Sequence, residues 1–175
     1  MMLILCMSFC IALLDQVTKY LVKLKLLAGQ ISVIPDFFDL RYVQNTGAAW
    51  GIMQGLNNWL VLLSLIMLVA IIIFRRSLIG DSLLNRIVTG LLVGGIIGNM
   101  IDRIKLGYVV DFLDFYWRNH HFPAFNVADS AICAGVGLYI ISQVLHEGGE
   151  QGEAQRHRED KAGEEERHKG TEKAG

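Results

Sequence analysis

The run "WLVLLSLIMLVAIIIF", Trp59–Phe74, limits what this chain can fold into more than any other feature. It is broken by a single polar side chain, Ser64. A helix needs about 20 mostly apolar residues to cross a bilayer. The chain has four such stretches, at about 3–22, 56–74, 87–104 and 127–145. Overall, 53% of residues are hydrophobic and the mean hydropathy is +0.40, above an ordinary soluble domain. The expected fold class is an all-α membrane protein, a four-transmembrane-helix bundle. A small extended, β-like segment and an interfacial helix are expected on its outer face. "ISVIPDFFDLRYVQ" alternates as strands do. Residues 105–126 carry Tyr116, Trp117 and several Phe, aromatics suited to the headgroup level.

Residues 1–146 are read as one membrane-embedded domain and 147–175 as a charged, disordered cytoplasmic tail. The near-zero net charge hides that division. The first part carries ten basic and eight acidic residues, every acid being Asp. The tail carries six basic and nine acidic residues and no Val, Ile, Leu, Met or aromatic. It cannot bury enough surface to offset its ordering entropy. Cys6, Cys10 and Cys133 lie in apolar runs without metal spacing and read as small hydrophobes. Only five residues precede Cys6, too few for a signal-peptide n-region and h-region, so the first run is expected to remain as a span.

Four spans put the first and third connections on one face, and the second connection and both termini on the other. "RRSLIGDSLLNR", residues 75–86, carries three arginines and is expected in the cytoplasm with the termini. The unusual polar motifs then gather at the outer face.

Each motif has a plain reading and a sharper one. Asp15 and Lys19 in "LLDQVTKYLV" are i,i+4 on one helix face: a helix-surface ion pair, or a pair at the membrane boundary that organises a headgroup or a neighbouring helix. "QNTGAAWG" reads as a turn before close packing, or as Asn45 offering its amide to a peptide backbone beside Gly47 and Ala48. "GGIIGNMIDRI" spaces Gly94 and Gly98 for close helix approach, then brings Asn99 and Arg103 onto one face with Asp102 about 100° from Arg103. Arg103 also suits a helix C-terminus. "GYVVDFLDF" sets Asp111 and Asp114 among apolar residues, Asp111 being the more enclosed by its neighbours. In "FNVADSA", Asn126 is a good N-cap, which makes Asp129 the third helical residue, where the dipole favours an acid. "NHH", Asn119–His121, lacks the partners a zinc site needs, so no metal and no cofactor are expected. No basic-aromatic nucleic-acid face is visible.

With "DQVTK", "NTGAAWG", "GGIIGNMIDR", "GYVVDF" and "FPAFNVADSA" in that order between four spans, residues 10–146 resemble lipoprotein signal peptidase, or signal peptidase II. Trp50 stands where that family commonly has Phe. The resemblance implies a bacterial inner-membrane aspartic peptidase acting on lipid-modified prolipoproteins among membrane lipids. It implies cleavage just before a diacylglyceryl-modified cysteine, with Asp111 and Asp129 as the catalytic pair. Asn45, Asn99, Arg103 and Asn126 map to substrate-binding positions. Asp15, Lys19, Gly47, Gly98, Asp102 and Ala128 map to supporting ones, Asp102 being the rival for a catalytic label. A monomer is expected. The alternative is a small proton- or ion-coupled transporter that uses the same aspartates as a relay. Its weakness is that the acids cluster near one face and not at the midplane.

Overall fold

The computed structural model describes residues 1–27, 29–48, 51–74 and 82–144. The expected tail, Trp50 and all of the "RRSLIGD" stretch, residues 75–81, lie outside the described residues. Among the described residues, four helices are long and apolar enough to cross a membrane: α1 (Met2–Leu26), α2 (Asn57–Phe74), α3 (Leu83–Leu106) and α4 (Val127–Val144). Between α1 and α2 run β1 (Gln30–Ile34) and β2 (Phe38–Asn45). Between α3 and α4 run β3 (Val109–Trp117) and β4 (His120–His121). The chain divides into two compact units, Met1–Leu138 and Tyr139 onward. Every residue of the site belongs to the first.

The helices differ in what they bury. In α2 only Leu60 and Leu68 are buried, and most of the other apolar side chains of this helix are exposed. Such a surface is at home in lipid and not in water. Helix α3 is the hub, and its glycines explain why. A Cβ on Gly94 would lie 2.8 Å from the Ser8 carbonyl oxygen of α1. A Cβ on Gly95 would lie 2.5 Å from the Ala128 carbonyl oxygen of α4. Gly94 and Gly98 therefore do not serve one partner: Gly94 faces α1, while Gly98 meets both Asp15 of α1 and Ala128 of α4. Helix α3 starts at Ser82, whose hydroxyl accepts the Asn85 N–H. It ends at Gly107, whose φ of +82° is a left-handed cap that glycine takes without strain.

The strands form one antiparallel sheet in the order β1-β2-β3-β4. The extended reading of residues 31–44 holds. The aromatic segment expected at the headgroup level, residues 105–126, is strand at 109–117. The physical reason is visible in "VVDFLDFYW": its period suits a pleated strand, and both faces of its first half are buried. A bulge between Leu40 and Val43 sets Arg41 and Tyr42 against a single β3 residue and bends β2. Val22 and Leu26 near the end of α1 pack with Phe112, Leu40, Tyr42, Leu113 and Val127, which seats the sheet on α1. Burying the Phe112 ring contributes about 2 kcal/mol.

Candidate active site

Chain connectivity alone would leave Asp111 and Asp129 far apart. Phe125 joins them. Its N–H donates to the Leu113 carbonyl at 3.1 Å, and its carbonyl accepts from Leu113 N–H at 2.8 Å. This staple lays the segment before α4 against β3. Asn126 then caps α4 as expected, its Oδ1 accepting Asp129 N–H at 2.9 Å. Asp129 Oδ2 accepts the Asn126 N–H at 3.3 Å, a reciprocal capping box.

Asn126 does more than cap. Its Nδ2 donates to Asp111 Oδ1 at 2.7 Å, to Asn99 Oδ1 at 3.1 Å and to the Val110 carbonyl at 3.3 Å. Asn99 Nδ2 donates to Asp129 Oδ1 at 2.7 Å. The two carboxylates are thus bridged by two asparagines. On the far side of Asp111, Asn45 Nδ2 donates to Oδ2 at 2.9 Å, while its Oδ1 accepts Gly47 N–H at 2.9 Å. Asn45 therefore gives a donor to a carboxylate, where the sequence suggested a donor for peptide backbone. Asp111 is buried, and burial pushes its carboxyl from near 3.8 up to about 7. The Asp129 charge adds to that rise, and the hydrogen bonds from Asn45 and Asn126 and the Lys19 charge oppose it.

Beneath this layer lies an ionic one. Lys19 Nζ is 2.8 Å from Asp15 Oδ2 and 3.0 Å from Asp102 Oδ2, and it donates to Asn99 Oδ1 at 3.0 Å. Three acceptors match the three donors of an ammonium. With Lys19 at 3% exposure and Asp15 at 0%, this i,i+4 pair is buried and ties α1 to α3, and is not the helix-surface ion pair that was one reading of the motif. Asp15 Oδ1 accepts Ala128 N–H at 2.9 Å, so α1 caps the start of α4 from outside. Asp102 Oδ2 accepts Val110 N–H at 3.0 Å, which fixes the start of β3. Asp102 therefore faces Lys19 and β3, one turn along α3 from Asn99, with which it shares the Lys19 ammonium. Arg103 Nη2 donates to the Gly47 carbonyl at 3.2 Å, and Asn57 Nδ2 to the Arg103 carbonyl at 3.0 Å. A side chain on Gly47 would meet the Ile52 carbonyl oxygen at 2.7 Å.

Asp111 and Asp129 line one cavity of about 700 Å³, together with Asn45, Asn99 and Arg103. Its other wall includes Val109, Phe122, Pro123, Ile132 and Cys133. The site thus pairs two amide-bridged carboxylates with a mostly apolar surround, an arrangement suited to water activation and hostile to a double negative charge.

A family model described as signal peptidase (SPase) II matches residues 7–145. The chain belongs to the signal peptidase II family. A protein named lipoprotein signal peptidase from Symbiobacterium thermophilum is 44% identical over 147 residues, covering 83% of this chain and 97% of that relative. One of the same name from Syntrophotalea carbinolica is 45% identical over 133 residues, covering 74% and 83%. Two bacterial membrane enzymes solved by the in meso method, at 2.3 Å and 1.9 Å, share the fold with TM-scores of 0.73 and 0.69. They are 34% and 35% identical and cover 81% and 80% of this chain, and 87% and 91% of their own. As a signal peptidase II, the protein is a multi-pass bacterial membrane aspartic peptidase that acts on lipoprotein substrates. Nothing in family or fold supports the transporter alternative.

In this site Asn45, Asn99, Arg103, Asp111 and Asp129 line the cavity, while Asn126, Lys19, Asp15 and Asp102 hold them from behind through hydrogen bonds and ion pairs. Sequence reasoning missed Gln16, whose Nε2 donates to Asp102 Oδ1 at 2.9 Å and to the Gly98 carbonyl at 3.1 Å. Its signal was its place between Asp15 and Lys19 on a helix that packs tightly. It also underrated Asp114, as buried as Asp111, which pairs with Arg41 and with His121 Nδ1 at 3.0 Å. The His121 ring stacks on Tyr116, so this histidine is accounted for within the sheet.

Proposed function

We propose that Asp111 and Asp129 are the catalytic dyad of an intramembrane endopeptidase. It removes the signal peptide from diacylglyceryl-modified prolipoproteins by cleaving before the lipidated cysteine. The observation that carries this reading is Asn126, which binds both carboxylates on the wall of one cavity. Near neutral pH the pair holds one shared proton, because burial and mutual repulsion oppose double ionisation. The ionised member takes a proton from water as the water oxygen attacks the scissile carbonyl carbon. The protonated member gives its proton to the carbonyl oxygen. Collapse of the tetrahedral intermediate breaks the C–N bond, and the leaving amine takes up a proton. The products are a signal-peptide carboxylate and the free α-amino group of the lipidated cysteine.

The remaining groups position. Asn99, Arg103 and Asn45 present polar atoms to the cavity for substrate backbone, and Asn126 sets the spacing of the dyad. Asp15, Lys19 and Asp102 lock α1, α3 and β3 together, with Gly98, Ala128 and Gly47 permitting the close approaches. The lipid chains of the substrate remain with membrane lipids along the apolar wall.

The sheet supports a reading of the topology. Strands from the first and third connections pair with each other, so both connections lie on one side of the spans. The arginines of residues 75–86 favour the cytoplasm for the opposite side. On this reading the protein is a monomer in the inner membrane, its site is near the outer face, and both termini are cytoplasmic.

The test is single replacement of Asp111 and Asp129 by Asn, with a lipidated prolipoprotein offered to each purified variant. Both should lose cleavage by at least about a hundredfold. Normal cleavage by either sinks the dyad. Loss in Asp102→Asn with both others active would move the label to Asp102.

A further inference from the structure

One charged group on the cavity wall has no part in the proposed reaction. Arg41 lines the same cavity as Asp111 and Asp129, and its side chain is 36% exposed. Its Nε lies 2.9 Å from Asp114 Oδ2, an ion pair whose angle falls short of a hydrogen bond. That pair is the one polar contact of Arg41 among the described residues. Asp114 is itself 1% exposed and steadied by His121. The pairing fixes the base of the guanidinium. The four donors of its two Nη groups have no partner among the described residues. A planar fork of donors, anchored from behind and facing a substrate cavity, suits a carboxylate or phosphate.

Position along β2 says where on the substrate that anion would be. Arg41 and Asn45 are four residues apart on one strand, roughly 13 Å at the usual rise. Asn45 bonds Asp111, so it marks the reacting centre. The neighbours of Arg41, Leu40 and Tyr42, pack against Val22 and Leu26. Leu26 lies roughly 10 Å along α1 beyond Lys19, which marks the level of the dyad through Asn99. Arg41 is therefore displaced from the dyad toward the end of α1 that carries the sheet. On the topology proposed above, on which this inference rests, that is the side where the mature segment emerges. The apolar signal segment stays level with the spans.

We propose that Arg41 is a specificity-determining residue that binds an acidic side chain of the mature lipoprotein segment, about four residues past the scissile bond. An extended chain spans the distance from Asn45 to Arg41 in that number of steps. A phospholipid phosphate is the competing anion. The carboxylate is favoured because Arg41 lines the cavity that the substrate chain must enter.

The full-length protein in zwitterionic bicelles is given lipidated prolipoprotein peptides that differ by one Glu or Gln. The substitution steps through successive positions on both sides of the scissile bond. The ratio of kcat/KM for each Glu and Gln pair is taken within one protein, so a general loss of folding or activity cancels. The expected ratio for the unaltered chain is about ten at one mature-side position, carried by KM, and about one elsewhere. It falls to about one in Arg41→Gln and is partly kept in Arg41→Lys. A ratio near one at every position, a preference on the signal side, or a preference that survives Arg41→Gln overturns the proposal. So does an Arg41 effect on KM that appears only with anionic phosphatidylglycerol in the bicelle and is the same for Glu and Gln peptides. Failure of the dyad is seen separately, as cleavage by Asp111→Asn, and leaves these ratios unmoved.

Discussion

Replacing Asp111 by Asn should separate stability from activity. The carboxyl of Asp111 is raised from near 3.8 to about 7, first by burial and then by the Asp129 charge. The sign follows from proton counts. Between these two values the folded chain holds a proton on Asp111 and the unfolded chain does not. Stability therefore falls as pH rises through that window and levels off above it. Each pH unit is worth about 1.4 kcal/mol, so from about pH 5 to about pH 8 this group should cost the fold on the order of 3 kcal/mol. Asn cannot ionise and should remove that slope. The replacement has its own cost. Asp111 oxygens accept from Asn45 Nδ2 and Asn126 Nδ2, so the new amide nitrogen would face another donor. Neither asparagine can flip freely, because Asn45 Oδ1 holds Gly47 N–H and Asn126 Oδ1 holds Asp129 N–H. That mismatch costs about 1–3 kcal/mol and does not depend on pH. The measurement is denaturant unfolding in mixed micelles, followed by helical circular dichroism at several pH values. The variant should lose cleavage and lose about 3 kcal/mol of pH dependence relative to the parent. Equal pH slopes in the two proteins, or a parent that grows more stable as pH rises through this window, would refute the burial argument.

Three further outcomes follow from the same geometry. Asp129→Asn should lower the Asp111 carboxyl from about 7 toward the ordinary carboxylate range, because the Asp129 charge helps raise it; carbon NMR of labelled aspartate would show an unmoved titration if the two carboxylates do not interact. Lys19→Met leaves Asp15 and Asp102 buried without their shared cation. It should cost about 3–5 kcal/mol in unfolding, and little change would mean that the ionic layer is dispensable. Gly98→Ala places a methyl 2.6 Å from Asp15 Oδ2 and 3.2 Å from Ala128 Cβ. It should cost about 1–3 kcal/mol and reduce kcat as the start of α4 shifts; unchanged kcat would show that α4 tolerates the displacement.

Spans were the most legible part of this chain, because an apolar run of fixed length has few other uses. Even so, α1 runs to Leu26 and α3 starts at Leu83, both about a turn beyond the apolar limits. The extra turn of α1 carries Leu26, which with Val22 seats the sheet. The candidate site was legible as a set of residue types and not as a network. Asp15 and Lys19 looked the same in sequence whether exposed or buried. Only packing against Asp102, Asn99 and the Ala128 N–H separates the two.

Residue order by itself determined that the chain has four spans, that its polar motifs gather at span ends, that Asn126 caps α4, and which family it resembles. These depend on local periodicity, length and cap chemistry, which act between near neighbours in the chain. Tertiary structure decided that Asn45 answers to Asp111, that Asp102 belongs to Lys19 and β3, and that Gly94 faces α1 while Gly98 meets both α1 and α4. It also decided that Arg41, four residues before Asn45 on β2, shares a cavity with the dyad. Each of those is a pairing across distant stretches of chain. A buried polar group must find its partner in space, and residue spacing along a single helix or strand carries no record of which partner that is.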